Sequence, residues 1–229
     1  TVSGSRWIIM GLAGDIRKQA RPGRRADMGK EQEKKAMTLE EIREEIDAID
    51  RQMKALFIKR MDCARQVAET KAKTGGDVYV AEREAAMTQK RTSGIEDREL
   101  RENYRDFLTH TICISRRYQY GILKKMQDEA VRSLLDAAGL KEETGHGAIR
   151  VSFCCGSQDE MTQGSALCRY MDIIALHHIG IQEMHVTEAD GQQEAVVLLK
   201  GNTGQEEMRR LLCQLSKEAK NFKIRSLEG

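Results

Sequence analysis

The feature that most constrains the fold is a long run of helical periodicity across residues 38–73. Apolar side chains recur there at the three- and four-residue spacing that places them on one face of a helix. At 100° per residue they fall within about 40° of one line. The members of this apolar stripe are Ile42, Ile46, Ile49, Met53, Leu56, Ala64 and Val67. Thr38 and Glu41 form a capping box before it, and TGGD at 74–77 ends it, so the pattern predicts one helix of about 35 residues, roughly 50 Å long.

Two cations lie on this stripe, Arg60 near 0° and Lys71 near 20° from Ile42. One reading is that their long side chains reach solvent at the edge of a core. The other is that they face a ligand, because a buried unpaired cation costs several kcal/mol and no acidic residue shares this half of the stripe. Their Cα atoms would lie about 16 Å apart, so the two side chains can meet only through a ligand held between them.

Two further helices are expected after the TGGD turn, a short one ending at Gly94 and a longer one from about Arg98 to Met126. The apolar line of the longer helix is interrupted by the polar residues Ser115 and Gln119. These two helices cannot cover a 50 Å partner, so much of its apolar stripe would stay exposed in a monomer. We therefore expect an interlocked homodimer with a cationic, hydrogen-bonding cavity inside the helical bundle.

Composition narrows the class of protein. Only 4% of the 229 residues are aromatic, 32% are charged, and the formal net charge is +2. Nine Lys/Arg against four Asp/Glu fall in residues 1–36, so the remaining chain is slightly acidic, which argues against a nucleic-acid-binding body. No apolar run is long enough to span a membrane. Six cysteines without a CxxC pair or a secretory signal indicate reduced thiols and a cytoplasmic location.

Residues 1–36 differ from the rest of the chain. They have no sustained periodicity and contain the chain's single Pro and single Trp. We expect a disordered basic extension, with an arm for an acidic partner as the alternative.

The polar positions of the three predicted helices resemble those of the all-helical, AroQ-type chorismate mutases over about residues 38–125. The matching elements are REEID-AID at 43–50, Arg60, Lys71, the V-Y-x-x-x-R-E run at 78–84 and SRRYQ at 115–119. The resemblance implies an intertwined three-helix dimer that converts chorismate to prephenate without a cofactor or a metal.

The resemblance also implies a role for each matching residue. Lys71 and Gln119 would be catalytic, donating hydrogen bonds to the ether oxygen of the breaking bond. The substrate-binding residues would be Arg43, which reaches into the partner's site, together with Arg60, Arg83, Glu84 and Ser115. Val80 stands where the family often has Asp, so that Glu84 would contact the ring hydroxyl alone.

The periodicity changes in the C-terminal part. Residues 128–147 begin as helix and end in a glycine-punctuated linker, and residues 148–228 read as strand, helix, strand, strand, helix, strand. This order is typical of a ferredoxin-like domain. The fold class we expect is therefore α plus α/β, with a chorismate mutase domain at 37–127 and a βαββαβ domain at 148–228.

The βαββαβ segment resembles ACT domains, which sense amino acids in aromatic biosynthesis. The resemblance places an effector site at Gly164, in the loop CGSQDEMTQGSA at 155–166, although the usual Pro before that glycine is Gln163 here. Phenylalanine or tyrosine would be the effector; a domain kept only for dimerisation is the alternative.

A metal site at His177, His178 and His185 and a redox pair at Cys154 and Cys155 are both disfavoured. We expect His178 to lie on the apolar face of the first helix of this domain as a core or interface histidine, and adjacent cysteines in a strand point to opposite faces.

The sequence thus predicts a cytoplasmic, homodimeric chorismate mutase with an ACT-like regulatory domain. Two alternatives remain open: an isochorismate-pyruvate lyase, which shares the helical scaffold, and a non-catalytic sensor of aromatic amino acids that uses the helices only to dimerise.

Overall fold

The structure is a computed structural model of the chain, and it describes residues 37–142, 145–156, 166–189 and 192–229. The chain divides into two units, residues 1–46 and 47–229. In the first unit the described residues form the start of the long helix. There Glu41 Oε2 accepts the backbone N–H of Thr38 at 2.7 Å, and Thr38 Oγ1 accepts that of Glu41 at 3.2 Å, as the predicted capping box requires.

The described residues contain four helices before the first strand. They are α1 (Leu39–Thr74), α2 (Ala81–Thr92), α3 (Arg98–Ile122) and α4 (Lys124–Ala138). The predicted long helix is confirmed at 36 residues. The predicted third helix ends four residues early, because Leu123 leaves the helical region with φ −83° and ψ 62°, and α4 begins immediately after it.

The C-terminal part of the described chain forms a four-stranded antiparallel sheet with two helices. The elements in chain order are β1 (Ala148–Cys154), α5 (Ala166–Leu176), β2 (Ile181–Ala189), β3 (Gln192–Lys200), α6 (Glu206–Glu218) and β4 (Lys220–Glu228). The spatial strand order is β2-β3-β1-β4. The predicted alternation of strand and helix periods in this segment matches these elements in type and order.

The main apolar core lies between the sheet and its helices. It contains Val151 and Phe153 of β1, Tyr170 of α5, and Leu211 of α6, all almost fully buried. Val131 and Leu135 of α4 join the same core, so the helix predicted at the start of residues 128–147 is present and packs against the sheet domain. The boundaries of the proposed domains at 127 and 148 stay predictions.

A second, smaller core joins the helices α1 and α3 to α6. It consists of Ala68, Val78, Tyr120, Leu123 and Cys213, each at most 7% exposed. Gly121 lies against the guanidinium of Arg210, to which an added Cβ would approach within 3.0 Å. The helices and the sheet of the second unit are therefore packed together, and α3 contacts α2 as well as the helices α5 and α6 of the C-terminal part.

The N-terminal two-thirds of α1 buries none of its side chains. Of its 36 residues, Ala64 and Ala68 are the buried ones. The predicted apolar stripe is instead largely exposed, with Met53 at 44% and Leu56 at 65%.

Within the described residues, no helix is both long enough and apolar enough to cross a membrane.

Candidate functional site

A cavity of about 140 Å³ lies among α1, α2 and α3. Six of the residues predicted from the sequence line it, namely Arg60, Lys71, Arg83, Glu84, Ser115 and Gln119. Its apolar lining is Val67, Val78, Val80, Met87 and Ile112, and Arg116 completes it. The structure therefore brings together residues up to 59 positions apart in the sequence, as the helical spacing predicted. We call this group the pocket cluster.

Arg60 is held against α3. Its Nη1 donates to the hydroxyl of Ser115 and to the backbone carbonyl of Thr111, the latter at 3.2 Å. The Ser115 hydroxyl in turn donates to Thr111 O at 3.0 Å. Burial, and then the nearby Arg91, lowers the pKa of Arg60 from its ordinary value. The guanidinium is thus oriented by neutral acceptors, and a ligand carboxylate would supply the missing charge compensation.

Lys71 reaches over the turn that ends α1. Its Nζ donates to the backbone carbonyls of Asp77 and Val78, at 3.3 Å for Val78. Burial and the neighbouring Arg83 lower the pKa of the Lys71 ammonium, while Glu84 acts in the opposite direction. The side chain is therefore anchored at the cavity wall with hydrogen-bonding capacity for a ligand.

Glu84 is the buried carboxylate of the pocket cluster, at 8% exposure. Its Oε2 accepts from Nη1 of Arg116, which is 2% exposed. Burial raises the pKa of Glu84, and the charge of Arg116 partly opposes this effect. The ion pair satisfies one carboxylate oxygen, and the carboxylate lines the cavity as a hydrogen-bond acceptor.

Gln119 lies one helical turn beyond Ser115 on α3. Its Nε2 donates to the Ser115 carbonyl at 3.3 Å, and its Oε1 is buried with no hydrogen-bond partner. A buried amide oxygen without a partner is uncommon in proteins, and it leaves this side chain with hydrogen-bonding capacity for a ligand. The amide remains able to rotate and present its second N–H to the cavity.

Three predicted site residues, and Val80, require separate description. Arg83 lines the cavity and is exposed. Arg43 belongs to the first unit and is exposed. Val80 is the N-cap of α2 and makes no capping hydrogen bond through its side chain. Gly164, the predicted effector position, lies outside the described residues, as does most of its loop.

Arg116 is a site residue that the sequence prediction missed. It follows Ser115 directly in SRRYQ, where a pair of arginines resembles an ordinary exposed helix surface. A signal was nevertheless available, because Arg116 is three residues after Cys113 and four before Tyr120, both buried. A cation at helical spacing within an apolar line is the same signal that identified Arg60.

The pocket cluster combines four cations with one carboxylate. The Ser115 hydroxyl has an arginine and a backbone carbonyl as its near polar partners, an arrangement that provides no general base to activate it. The arrangement is therefore suited to binding and orienting a small, multiply anionic ligand that also carries a hydroxyl group. This defines a class of site in which binding geometry and electrostatics, rather than a nucleophile, would do the chemistry.

Comparison with known proteins finds a family that resembles the segment around this cavity. Residues 42–120 match the model of the family described as Chorismate mutase type II, and this segment contains the whole pocket cluster. The resemblance predicted for the helical segment is thereby confirmed over residues 42–120.

A curated relative gives more limited information. The T-protein of Haemophilus influenzae is 43% identical over 53 residues, which are 23% of this chain and 14% of that protein. The alignment thus spans only a small part of the relative's length. The search of solved structures found no significant match.

The histidines of the C-terminal part differ from expectation. His178 is exposed in the left-handed region, with φ 57°, because α5 ends at Leu176, and the expectation that it packs on the apolar face is wrong. His177 is buried, and its Nε2 lies 2.8 Å from Gln214 Oε1.

All six cysteines are free. Among the described residues, no group of three or more His, Cys, Asp or Glu side chains could hold a metal ion.

Proposed function

We propose that this protein is a chorismate mutase, which converts chorismate to prephenate by a Claisen rearrangement. The observation that carries the proposal is the pocket cluster, in which six polar side chains from three helices surround one cavity inside the segment that matches the chorismate mutase family. Chorismate carries two carboxylates and a ring hydroxyl, which correspond to the cations and the one carboxylate of this cavity.

The proposed roles are those that the family resemblance implies, and the contacts of each residue are compatible with them. Arg60, oriented by Ser115, binds one substrate carboxylate. Lys71 and Gln119 donate hydrogen bonds to the ether oxygen, on which negative charge develops as the carbon–oxygen bond breaks. Each such donor contributes about 3 to 4 kcal/mol to the transition state. Holding the substrate in a chair-like conformer close to the transition state contributes a further 7 to 11 kcal/mol or so.

Recognition of the ring hydroxyl is assigned to Glu84. Val80 is 40% exposed and has no polar atom to offer in its side chain. Arg83 lines the same cavity and would order the bound substrate there. Glu84 therefore carries the hydroxyl contact alone, and its ion pair with Arg116 supports a fixed orientation.

The active enzyme is proposed to be a homodimer in which Arg43 of the partner chain binds the second carboxylate. Two observations support this. The apolar stripe of α1 is exposed in the single chain. The cavity of about 140 Å³ is smaller than the 300 to 1,000 Å³ or so that is usual for ligand pockets, as expected if part of its wall comes from another chain.

The C-terminal part is proposed to be a ferredoxin-like, ACT-type domain that responds to phenylalanine or tyrosine. The element order and the antiparallel strand order β2-β3-β1-β4 support this topology. The free cysteines agree with the proposed cytoplasmic location.

The test is an assay of chorismate consumption with identification of the product by chromatography. Prephenate formation supports the proposal. Formation of salicylate and pyruvate from isochorismate would identify a lyase instead. Turnover of neither substrate by the folded, full-length chain would refute an enzymatic function and favour the sensor.

Binding of phenylalanine, tyrosine and tryptophan is measured separately by calorimetry, on the intact protein and on Gly164→Val. Binding of one of them that is lost in Gly164→Val supports the effector site. No binding at millimolar concentration, or binding that the substitution leaves unchanged, contradicts it.

A further inference from the structure

A buried chain of ion pairs connects the pocket cluster to the C-terminal domain. Arg116 donates from Nη1 to Glu84 on α2 and from Nε to Oε1 of Glu218 on α6, the latter at 2.8 Å. Glu84, Arg116 and Glu218 are at most 8% exposed. The guanidinium of Arg116 therefore joins a carboxylate of the cavity to the carboxylate of Glu218, which lies 102 residues after Arg116 in the sequence.

Glu218 is itself fixed by the C-terminal domain. Its Oε1 also accepts from Gln214 Nε2 at 3.1 Å, and its backbone carbonyl accepts from Arg169 Nη2 at 3.0 Å. Arg116 and Arg169 both stack on the ring of Tyr79, at 5.0 and 5.3 Å from its centroid. Arg116 is consequently held from two sides and has little freedom to rotate.

The position of Arg116 determines which atoms of Glu84 can meet a ligand. The ion pair engages Oε2, so Oε1 is the acceptor left for a substrate hydroxyl. A carboxylate this deeply buried would rotate or take up a proton if its cation were lost, because an unpaired charge is strongly disfavoured in such surroundings. The geometry of the cavity thus depends on a residue that the C-terminal domain holds in place.

We propose that Arg116, anchored by Glu218, is the positioning residue for Glu84, so that the C-terminal domain takes part in recognising the substrate hydroxyl. The role of the hydroxyl rests on the proposed function. The ion-pair chain itself is independent of any reaction.

The electrostatics of Glu84 give this proposal a measurable signature. Burial raises its pKa, the negative charge of Glu218 raises it further, and three cations lower it. The charged and titratable groups that face Glu84 are Arg60 and Lys71 on α1, Arg116 and Tyr120 on α3, Arg169 on α5 and Glu218 on α6. Replacing Glu218 by Gln removes a like charge and keeps an oxygen acceptor, so the pKa of Glu84 should fall.

The kinetic experiment uses the full-length protein with chorismate, and compares wild type, Arg116→Gln, Arg116→Lys and Glu218→Gln across pH. Arg116→Gln should raise KM about tenfold or more with a smaller change in kcat, since hydroxyl binding contributes to both ground and transition states. Arg116→Lys keeps the positive charge but cannot donate to Glu84 and Glu218 with the geometry of a guanidinium. Its KM should therefore lie between those of wild type and Arg116→Gln. Glu218→Gln should move the acidic limb of kcat/KM to lower pH.

The matched control is Glu228→Gln, which removes an arginine–glutamate pair of the same domain, with Arg150, away from the cavity. It should leave KM and the pH profile unchanged. Unchanged KM and pH profile in folded Glu218→Gln and Arg116→Lys would overturn the proposal, as would an equal effect of the control.

A second measurement separates this inference from the proposed reaction. The pKa of Glu84 is read by carbon-13 NMR on protein labelled at the glutamate carboxyl carbons, with Glu84→Gln used to assign its resonance. A lower pKa in Glu218→Gln supports the ion-pair chain even if wild type does not turn over chorismate, in which case only the proposed function fails. An unchanged pKa refutes the chain.

Discussion

Lys71→Ala is the substitution that tests the proposed chemistry most directly. It removes one hydrogen-bond donor aimed at the developing charge, which is worth about 3 to 4 kcal/mol. At 1.36 kcal/mol per tenfold change in rate, kcat should fall by a factor of about 10² to 10³. Initial rates of chorismate disappearance over a range of concentrations give kcat and KM separately.

The same substitution should have a small effect on folding. Lys71 hydrogen-bonds to the carbonyls of Asp77 and Val78, and a hydrogen bond of this kind contributes about 1 kcal/mol net. Removing the half-buried ammonium also relieves a desolvation cost, which shows as its lowered pKa. Thermal unfolding followed by circular dichroism should therefore show a shift of only a few degrees.

Lys73→Ala is the matched control, because Lys73 is a basic residue in the same last turn of α1 and is exposed. It should retain wild-type kinetics. The reasoning is refuted if folded Lys71→Ala keeps near-native kcat, or if Lys73→Ala loses as much activity as Lys71→Ala.

Three further predictions concern assembly and stability. Mixing Arg43→Ala chains with Lys71→Ala chains should restore activity corresponding to about one intact site per heterodimer, and no recovery despite demonstrated heterodimers would reject a shared site. Leu56→Asp should shift the protein from dimer to monomer in analytical ultracentrifugation because Leu56 is 65% exposed within the apolar stripe, whereas Lys54→Glu, a charged residue on the same helix, should not. Burial lowers the pKa of His177 to about 4, against about 6.5 in an unfolded chain. The unfolded state therefore binds the extra proton between these values, and stability falls as pH drops through this window. His177→Gln should lessen the loss of unfolding free energy between pH 7 and 4.5 by about 2 to 3 kcal/mol, measured by urea titration; an unchanged loss would contradict the assignment.

The helical site could largely be predicted from the sequence because its signals are local. Arg60 and Lys71 interrupt an apolar stripe on one helix, and Ser115 and Gln119 interrupt another, so each anomaly appears within a few turns. The helices and strands of the C-terminal part could also be predicted, because each segment has its own helical or alternating pattern of apolar residues.

The ion-pair chain could not be predicted in the same way. Glu218 ends an amphipathic helix, where an acidic residue usually faces solvent, and its partner Arg116 is 102 residues away. No spacing rule connects them, because the contact depends on how α6 packs against α3. The break at Leu123 was missed because the apolar spacing continues through it from Ile122 to Met126. Such spacing indicates which side of a helix is buried, but it does not indicate where the helix ends.

The bare N-terminal two-thirds of α1 has a consequence for how the protein folds. A helix with few tertiary contacts is only marginally stable in water, so this part cannot be an early, independent nucleus. Under the proposed dimer, its helical structure forms when two chains meet, which makes the last folding step bimolecular. The observed rate of the last refolding step should then rise in proportion to protein concentration. A newly synthesised chain would expose this apolar, aggregation-prone segment until it encounters its partner.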